Sequence, residues 1–499
     1  MSFIRKFTTT SALCALLSSP ALADVTADDV WEGLQAQYTM MGYQAAATNV
    51  TRDGNKLIID DFVLSMEIPE EDETLKVSGI NLVLEELANG TVDIQFPDEL
   101  TINAEVADVI VELLLTLTED SIVASGSPDD MTFAMSVENY IIDLKQIREG
   151  DVAFLPKAII TMTGLAGDMR VAKGGMTELV YDMTSDSLNF DVDFKDPEGD
   201  GQFTALLNLT GVTADSTSTI PNDVDMTNVA DALAQGMKSD GAFGYSGATF
   251  NVKVVDEQEG ADISGSSQSG SFGFQMSETG IGYNTASTNT DLTVIPAVMP
   301  LPLKFQIAET ASQFLFPISK SDAPQDAKIM MKYAGLTLDE AIWGMFDPGS
   351  VLPRTPATIL MDLSAQVSWD LDLLDPANAE ALEGSNFPGK LYSANINDIQ
   401  IAAAGAEFTG NGAFTFNNDD LETFDGLPAP DGEINLKLTG GNGLLDKLIQ
   451  MGFVKEEDAM GIRMMSGLFA NAGEGDDELV SKIEVKPNGN VLANGTRIK

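Results

Sequence analysis

The side chain best placed to do chemistry in this sequence is Arg354. It stands in a proline-stiffened stretch, Leu352-Pro353-Arg354-Thr355-Pro356, of a chain with 27 basic and 77 acidic residues. A guanidinium among so many carboxylates can form a forked ion pair or bind an anionic ligand. Pairs internal to a fold are the commoner use, so a structural carboxylate anchor is expected here. A second constellation, Asp191, Asp193, Asp196 and Asp200 around Pro197-Glu198-Gly199, superficially resembles a calcium loop. Its spacing does not match an EF-hand and it lacks the closing Glu, so a hairpin turn is expected and no metal site.

Missing residue types narrow the chemistry further. Histidine is absent, and the single cysteine, Cys14, lies in an N-terminal stretch built like a secretory leader. Arg5 and Lys6 precede an apolar run over residues 12–17, and Ala21-Leu22-Ala23 follows, so cleavage is expected after Ala23. Leu13 before Cys14 does not fit a lipoprotein anchor. A mature chain without His or Cys excludes thiol nucleophiles, Ser-His-Asp triads, histidine bases and nearly all zinc and copper sites. No catalytic set, cofactor or metal is therefore expected. A carboxylate-based hydrolase stays open as the least favoured reading, because 77 acids make any Asp/Glu spacing uninformative. The net charge of −50 repels nucleic acid and anionic headgroups. No apolar run in the mature chain reaches the roughly 20 residues a transmembrane helix needs. The expected location is the periplasm.

The elements that would position such residues are mostly strands. A first helix is expected from Thr26 and Asp29, with Val30, Trp31, Leu34, Tyr38 and Met41 at helical spacing, packed on a sheet. From Tyr43 the period becomes two. Leu57 and Ile59 are followed by Phe62, Leu64, Met66 and Ile68; Leu75 and Val77 by Ile80, Leu82 and Leu84. The same grammar continues through Val109, Val111, Leu113, Leu115 and Leu117, through Leu188, Phe190, Val192 and Phe194, and through Phe272, Phe274 and Met276. A short helix is expected from Asp225 with Val229, Leu233 and Met237. Residues 294–318 hold Pro296, Pro300, Pro302 and Pro317, which should bar central-strand pairing. Two readings of that segment compete: a loop that plugs one end of a sheet, which is preferred, and an apolar lip over a groove, its rim formed by Pro296, Met299, Pro300, Pro302, Phe314 and Phe316.

Residues 336–376 form the densest stretch. Thr337 and Glu340 suggest a capping box, with Leu338, Ile342 and Met345 or Phe346 on one helical face. Pro348 should end the helix near Phe346, and Pro353 and Pro356 should hold an extended corner around Arg354. Trp343, Phe346, Asp347, Pro348, Leu352, Pro353, Arg354 and Pro356 make up this signature, read as a device that holds sheet layers at a fixed angle. Near the C-terminus, Asn442 is expected to cap one helix, and a second over residues 455–469 carries Met460, Met464 and Leu468 beside Ile462, Met465 and Phe469. Two apolar rows predict a mostly buried helix with methionines as core filler.

Several blocks carry a resemblance: DVWEGLQAQY at residues 29–38, SGSPDDM at 125–131, AIWGMFDPGSVLPRTPAT at 341–358, GAEFTGNGAFTF at 405–416 and LPAPDGEINLKLTGGNGLLDKL at 427–448. On these the chain resembles an uncharacterised family of exported proteins from Gram-negative bacteria, a domain of unknown function with no established activity to transfer. In architecture it is similar to the long curved sheets of AsmA-like envelope proteins, a likeness that implies a role in lipid movement or outer-membrane maintenance.

The expected fold is mainly β with a few short helices: long antiparallel curved sheets built from successive hairpins, in two linked lobes. The expected divisions are a leader (residues 1–23), an N-terminal β lobe with its leading helix (24–220), a Gly/Ser/Pro-rich β segment (221–335) and a C-terminal β lobe (336–499). The expected function is a non-enzymatic exported protein that binds an apolar or lipid-like ligand or supports envelope maintenance. The alternative is a structural module that meets other envelope proteins.

Overall fold

A computed structural model describes residues 24–68, 73–196, 199, 201–222, 224, 228–256, 259–299, 301–382 and 388–499. Ala21, Ala23, Pro300, Asp200 and Asp225 lie outside the described residues. The fold is mainly β, a long antiparallel sheet of successive hairpins with 26 strands among the described residues. Most strands pair with their neighbours in sequence, and where one level is made of two shorter strands, such as Val92–Gln95 and Glu99–Val106, both pair with the levels on either side rather than with each other, so the chain is a meander of strand levels. The ladder continues past residue 220, where Gln202–Pro221 pairs with Lys238–Tyr245 and Gly247–Asp256. It also continues past residue 335, where Gln325–Leu338 pairs with Ala357–Trp369.

This architecture leaves apolar surface open on its strands: Leu206, Ile359 and Ile401 are each about half exposed.

The helices are α1 (Ala27–Met40), α2 (Val229–Ala234), α3 (Glu340–Phe346), α4 (Ala379–Leu382), α5 (Gly441–Gln450) and α6 (Glu456–Phe469). α1 begins with the expected capping box, in which Thr26 and Asp29 satisfy each other's backbone N–H. Its apolar side covers the first strands: Val30 and Trp31 join Leu57, Ile59, Phe62, Leu82 and Leu84 in one core. Trp31 meets Phe62 edge-on at 4.9 Å. Each such side chain, fully buried, contributes roughly 1.5–3 kcal/mol. The helix therefore packs on the sheet as its acidic polar face implied.

A crease crosses the sheet. The pairing register passes over Glu119 and Glu138, then Gly164, Asp186, Gly211, Ser246, Gln268, Asn289, Ala308 and Gly335, one position on each of ten successive strand levels. Several of these residues adopt positive φ: Glu119 (48°), Gly164 (59°), Gly211 (56°), Asn289 (48°) and Gly335 (71°). Such an extra residue bends a strand and shifts its alternation by one. In Met176–Lys195 the apolar set changes accordingly from Leu179, Tyr181 and Met183 to Leu188, Phe190 and Val192. The shift keeps apolar side chains on the same face across the crease: Leu188, Leu207 and Leu209 from one side cluster with Val212, Phe243 and Tyr245 from the other.

Several local expectations are corrected. Asp339, not Thr337, caps α3 by accepting the Ile342 N–H at 3.0 Å; Thr337 is already paired in the ladder opposite Gln306. Ile342 is buried on α3, but Met345 and Phe346 are exposed. Asn228 caps α2. Gly440, in left-handed conformation, precedes α5, and the Asp477 carboxylate takes the N–H groups of Asn442 (3.1 Å) and Gly443 (2.8 Å) in place of an Asn442 cap. The prolines of 294–318 do not bar central pairing. Pro296 ends the strand Gly280–Pro296, Pro302 lies in the turn, Pro317 follows Leu303–Phe316, and that strand has a neighbour on each side. The aspartates once compared with a calcium loop are cross-strand partners: Asp191 pairs with Lys157 at 2.5 Å and Asp193 accepts from Gln202 at 2.8 Å. Among the described residues no cluster could hold a metal ion.

Candidate functional site: an apolar groove between two fixed ends

Five consecutive strands after the crease, Leu303–Phe316, Gln325–Leu338, Ala357–Trp369, Gly389–Ala403 and Ala406–Asn417, place apolar residues opposite one another on one face. One register row runs Tyr283, Phe314, Ile329, Leu363, Ile396. The next runs Met331, Met361, Ile399, and the one beyond it Tyr333, Ile359, Ile401, Phe408. Directly opposed side chains in antiparallel strands share a face, so the rows form a continuous apolar surface. It spans about 20 Å across the strands at roughly 4.8 Å each, and about 13 Å along them.

A groove of about 490 Å³ is cut into this face, lined by Phe314, Phe316, Ile329, Leu363, Ile396 and Phe414 among others. Lys328, Ser364 and Asn395 also line it; they share the intervening register row, whose side chains alternate to the other face. No carboxylate is among the lining residues. Towards the crease the surface stays open, with Ile359 and Ile401 each 50 % exposed. Isolated exposed apolar residues are ordinary, but contiguous rows of them mark a surface built to be covered.

One end of the groove is closed by an aromatic and helical plug. Tyr283, Phe314 and Phe316 stack in sequence at 5.2 and 6.0 Å, and Phe316 meets Trp369 at 5.5 Å. The Trp369 indole N–H donates to the Pro317 carbonyl at 2.7 Å, which fixes the ring. Behind Phe316, Leu233 of α2 joins Ala232, Met237 and Ile318 in a small core.

The opposite end holds the signature corner. It connects Gln325–Leu338 to Ala357–Trp369, two neighbours in one sheet, so the reading of a junction between sheet layers is corrected to a brace between adjacent groove strands. Asp347, 1 % exposed, is its centre. Its carboxylate accepts the N–H groups of Val351 and Leu352, both at 2.9 Å, and the Arg354 guanidinium at 3.1 Å. Arg354 also reaches Glu340 at 3.1 Å and Ser350 at 3.0 Å, and lies 4.5 Å over the Trp343 ring, which packs on Phe346 at 4.9 Å. Leu352 is buried, Pro348 and Pro356 are exposed, and Pro353 packs against the turn at Gly405. Burial alone would raise the Asp347 pKa; the two backbone N–H groups and Arg354 outweigh it and hold the group below the ordinary aspartate value. Arg354 is thus the expected carboxylate anchor, with an aromatic ring as its second support.

The expected apolar rim divides between these ends. Pro296, Met299 and Pro302 belong to the hairpin tip beside the corner, whereas Phe314 and Phe316 line the groove near the plug, 11 residues or more along the strand from Leu303 and hence about 37 Å away. A single lip is therefore corrected to two distant features. Sequence reasoning missed the groove floor, Ile329, Leu363, Ile396 and Phe414, whose only signal was ordinary strand alternation. It also misjudged α6, which is not buried: Met464 is 68 % exposed, and Met460, Ile462, Met465 and Leu468 are exposed as well. Only Ala459 on this helix is buried, and Arg463 ties it to Asp446 of α5.

Compared with protein-family models, with curated proteins and with solved structures, the chain matches none.

Proposed function

We propose that this is a non-enzymatic, exported protein that holds an elongated apolar molecule, an acyl chain or comparable lipid-like ligand, along the groove. The observation that carries the proposal is the set of contiguous apolar rows across five strands, open on one side and lined without a carboxylate. Ligand sites of this kind are concave, mostly apolar and largely preformed. The groove's two ends are fixed by packing and hydrogen bonds, so little order has to be created on binding. The leader-like residues 1–23 favour export.

The test is to purify the protein from cells without detergent, extract it with organic solvent and identify bound material by mass spectrometry, beside an Ile329→Glu/Leu363→Glu variant. The expected result is acyl-bearing material at near-stoichiometric amount in the wild type and its loss in the variant. Wild-type protein that carries none and takes up no apolar fluorescent probe overturns the proposal, as does equal loading of the variant. N-terminal sequencing of protein recovered from the periplasm should begin at Asp24; a chain retained in the cytoplasm with Met1 in place overturns the export reading.

A further inference from the structure

The hairpin tip between Pro296 and Leu303 is unlike the acidic turns on its edge of the sheet. Val298 is 81 % exposed, Met299 37 % and Leu301 38 %, and residues 294–303 contain no charge in a chain of net −50. Its backbone is also largely spent. The N–H groups of Ala297, Met299 and Leu301 donate to Gly260, Pro296 and Met299 carbonyls at 3.0, 3.1 and 2.6 Å, and Pro300 and Pro302 have no N–H to offer. Free donors are what make a loop costly to bring into an apolar medium, so this tip enters one at low cost.

A second apolar tip lies on the same edge: Val152 and Leu155 are 72 % and 73 % exposed beside Lys157. The register carries that edge from Lys157 through Asp193, Gln202, Val255 and Gly260 to Pro296, five strand intervals in all, with Leu303 on the strand beyond. Five strand intervals of roughly 4.8 Å put the two tips about 24 Å apart. Between them stand turns rich in acid, with Asp196 and Asp256. A folded protein partner would need a continuous complementary patch. Discrete apolar insertions separated by carboxylates instead suit a bilayer surface whose outermost groups are ammonium ions.

We propose that this edge docks on a zwitterionic lipid bilayer, with Val298, Met299 and Leu301 inserted among the headgroups and the acidic turns facing their ammonium groups. Anionic lipid opposes the contact, since the protein's own charge is of the same sign. The inference does not depend on what the groove holds.

The experiment is flotation of the full chain with vesicles of phosphatidylcholine, and with vesicles in which a third of that lipid is replaced by phosphatidylglycerol. Wild-type protein should float with the first and at least tenfold less with the second at low salt. Val298→Asp/Leu301→Asp should lower partitioning at least tenfold with an unchanged circular dichroism spectrum, Val152→Asp/Leu155→Asp should lower it less, and the groove variant Ile329→Glu should float as wild type does. Absence of wild-type flotation overturns the proposal. So does wild-type flotation of the Val298→Asp/Leu301→Asp protein, or flotation abolished by Met464→Asp/Leu468→Asp on α6 and not by the tip variant. A concentration-dependent dimer that the tip variant dissolves, without vesicle binding, would assign the tip to a second copy of the chain and overturn it too.

Discussion

Gly335 tests whether the crease is built or incidental. It lies where Gln325–Leu338 bends, at φ 71°, and a Cβ placed on it would stand 2.7 Å from the Ala308 Cβ on the neighbouring strand. A methyl carbon cannot rotate away, so the two strands themselves would have to separate. Gly54 provides the control: its φ is 62°, and a Cβ there meets nothing within 4 Å. Gly54→Ala therefore reports the left-handed conformation alone, about 1–2 kcal/mol, less up to ~1 kcal/mol returned through the unfolded chain. Gly335→Ala adds an overpacking cost of about 1–3 kcal/mol, and Ala308→Gly in the same molecule should remove that addition. A double-mutant cycle by urea denaturation should show a coupling of about 1–3 kcal/mol between positions 308 and 335. Hydrogen exchange should place the loss in the strands Leu303–Phe316 and Gln325–Leu338. If Gly335→Ala costs no more than Gly54→Ala, or if Ala308→Gly restores nothing, the crease does not rest on close approach of these backbones.

The plug and the corner give further expectations. Leu233→Ala removes a fully buried side chain behind Phe316, which should cost about 2.7–5 kcal/mol and speed amide exchange around residues 229–237 roughly a hundred- to several-thousandfold; unchanged protection would mean the groove end stands without α2. The Asp347 pKa is lower in the folded chain than in the unfolded one. Its contribution is therefore complete above the ordinary aspartate value, about 3.9, and is lost as pH falls through the depressed folded value. Exchange across residues 340–356 should rise in that acid range, and Asp347→Asn should flatten the dependence; an equally steep rise in the variant would assign it to another group. Arg354→Lys should loosen the same peptide at neutral pH, because an ammonium cannot hold Asp347, Glu340 and the Trp343 face together; native-like exchange would show that charge alone suffices. Finally, a net charge of −50 predicts a melting temperature that rises with salt, as the Debye length shrinks from about 30 Å at 0.01 M to about 8 Å at 0.15 M. A flat profile would mean that repulsion does not limit stability.

The crease was already written in the sequence as a change of phase. Leu57 and Ile59 give way to Phe62 and Leu64, and Leu75 and Val77 to Ile80 and Leu82, with one residue too many between the sets. Read without a ladder, such a slip looks like noise. Only register shows that Gly164, Asp186, Gly211 and Ser246 fall in line. The groove is less legible for a related reason. Phe314, Ile329, Leu363 and Ile396 are ordinary inward positions of separate strands, and the turn lengths that bring them side by side are not encoded in any one of those strands. At the corner the residue type was legible and the partner was not: a lone Arg among acids implies a carboxylate, yet it is the turn Pro348-Gly349-Ser350 that curls two N–H groups onto Asp347 in particular.

α6 fails for the opposite reason, and the failure bears on function. Periodicity reports which sides of a helix are apolar, and the step from apolar to buried assumes that something covers them. In a closed fold that assumption is safe. Here the sheet itself leaves Ile359 and Ile401 half exposed, and α6 leaves Met464 and Leu468 in the open, so one chain offers apolar rows on a strand face and on a helix. Exposure on that scale raises the risk of self-association. The same chain carries 77 acids and only 27 bases, which keep copies apart by repulsion. The charge therefore permits the uncovered apolar surface to persist in water, so open apolar rows on the strand face and on α6 can coexist with a chain that stays dispersed.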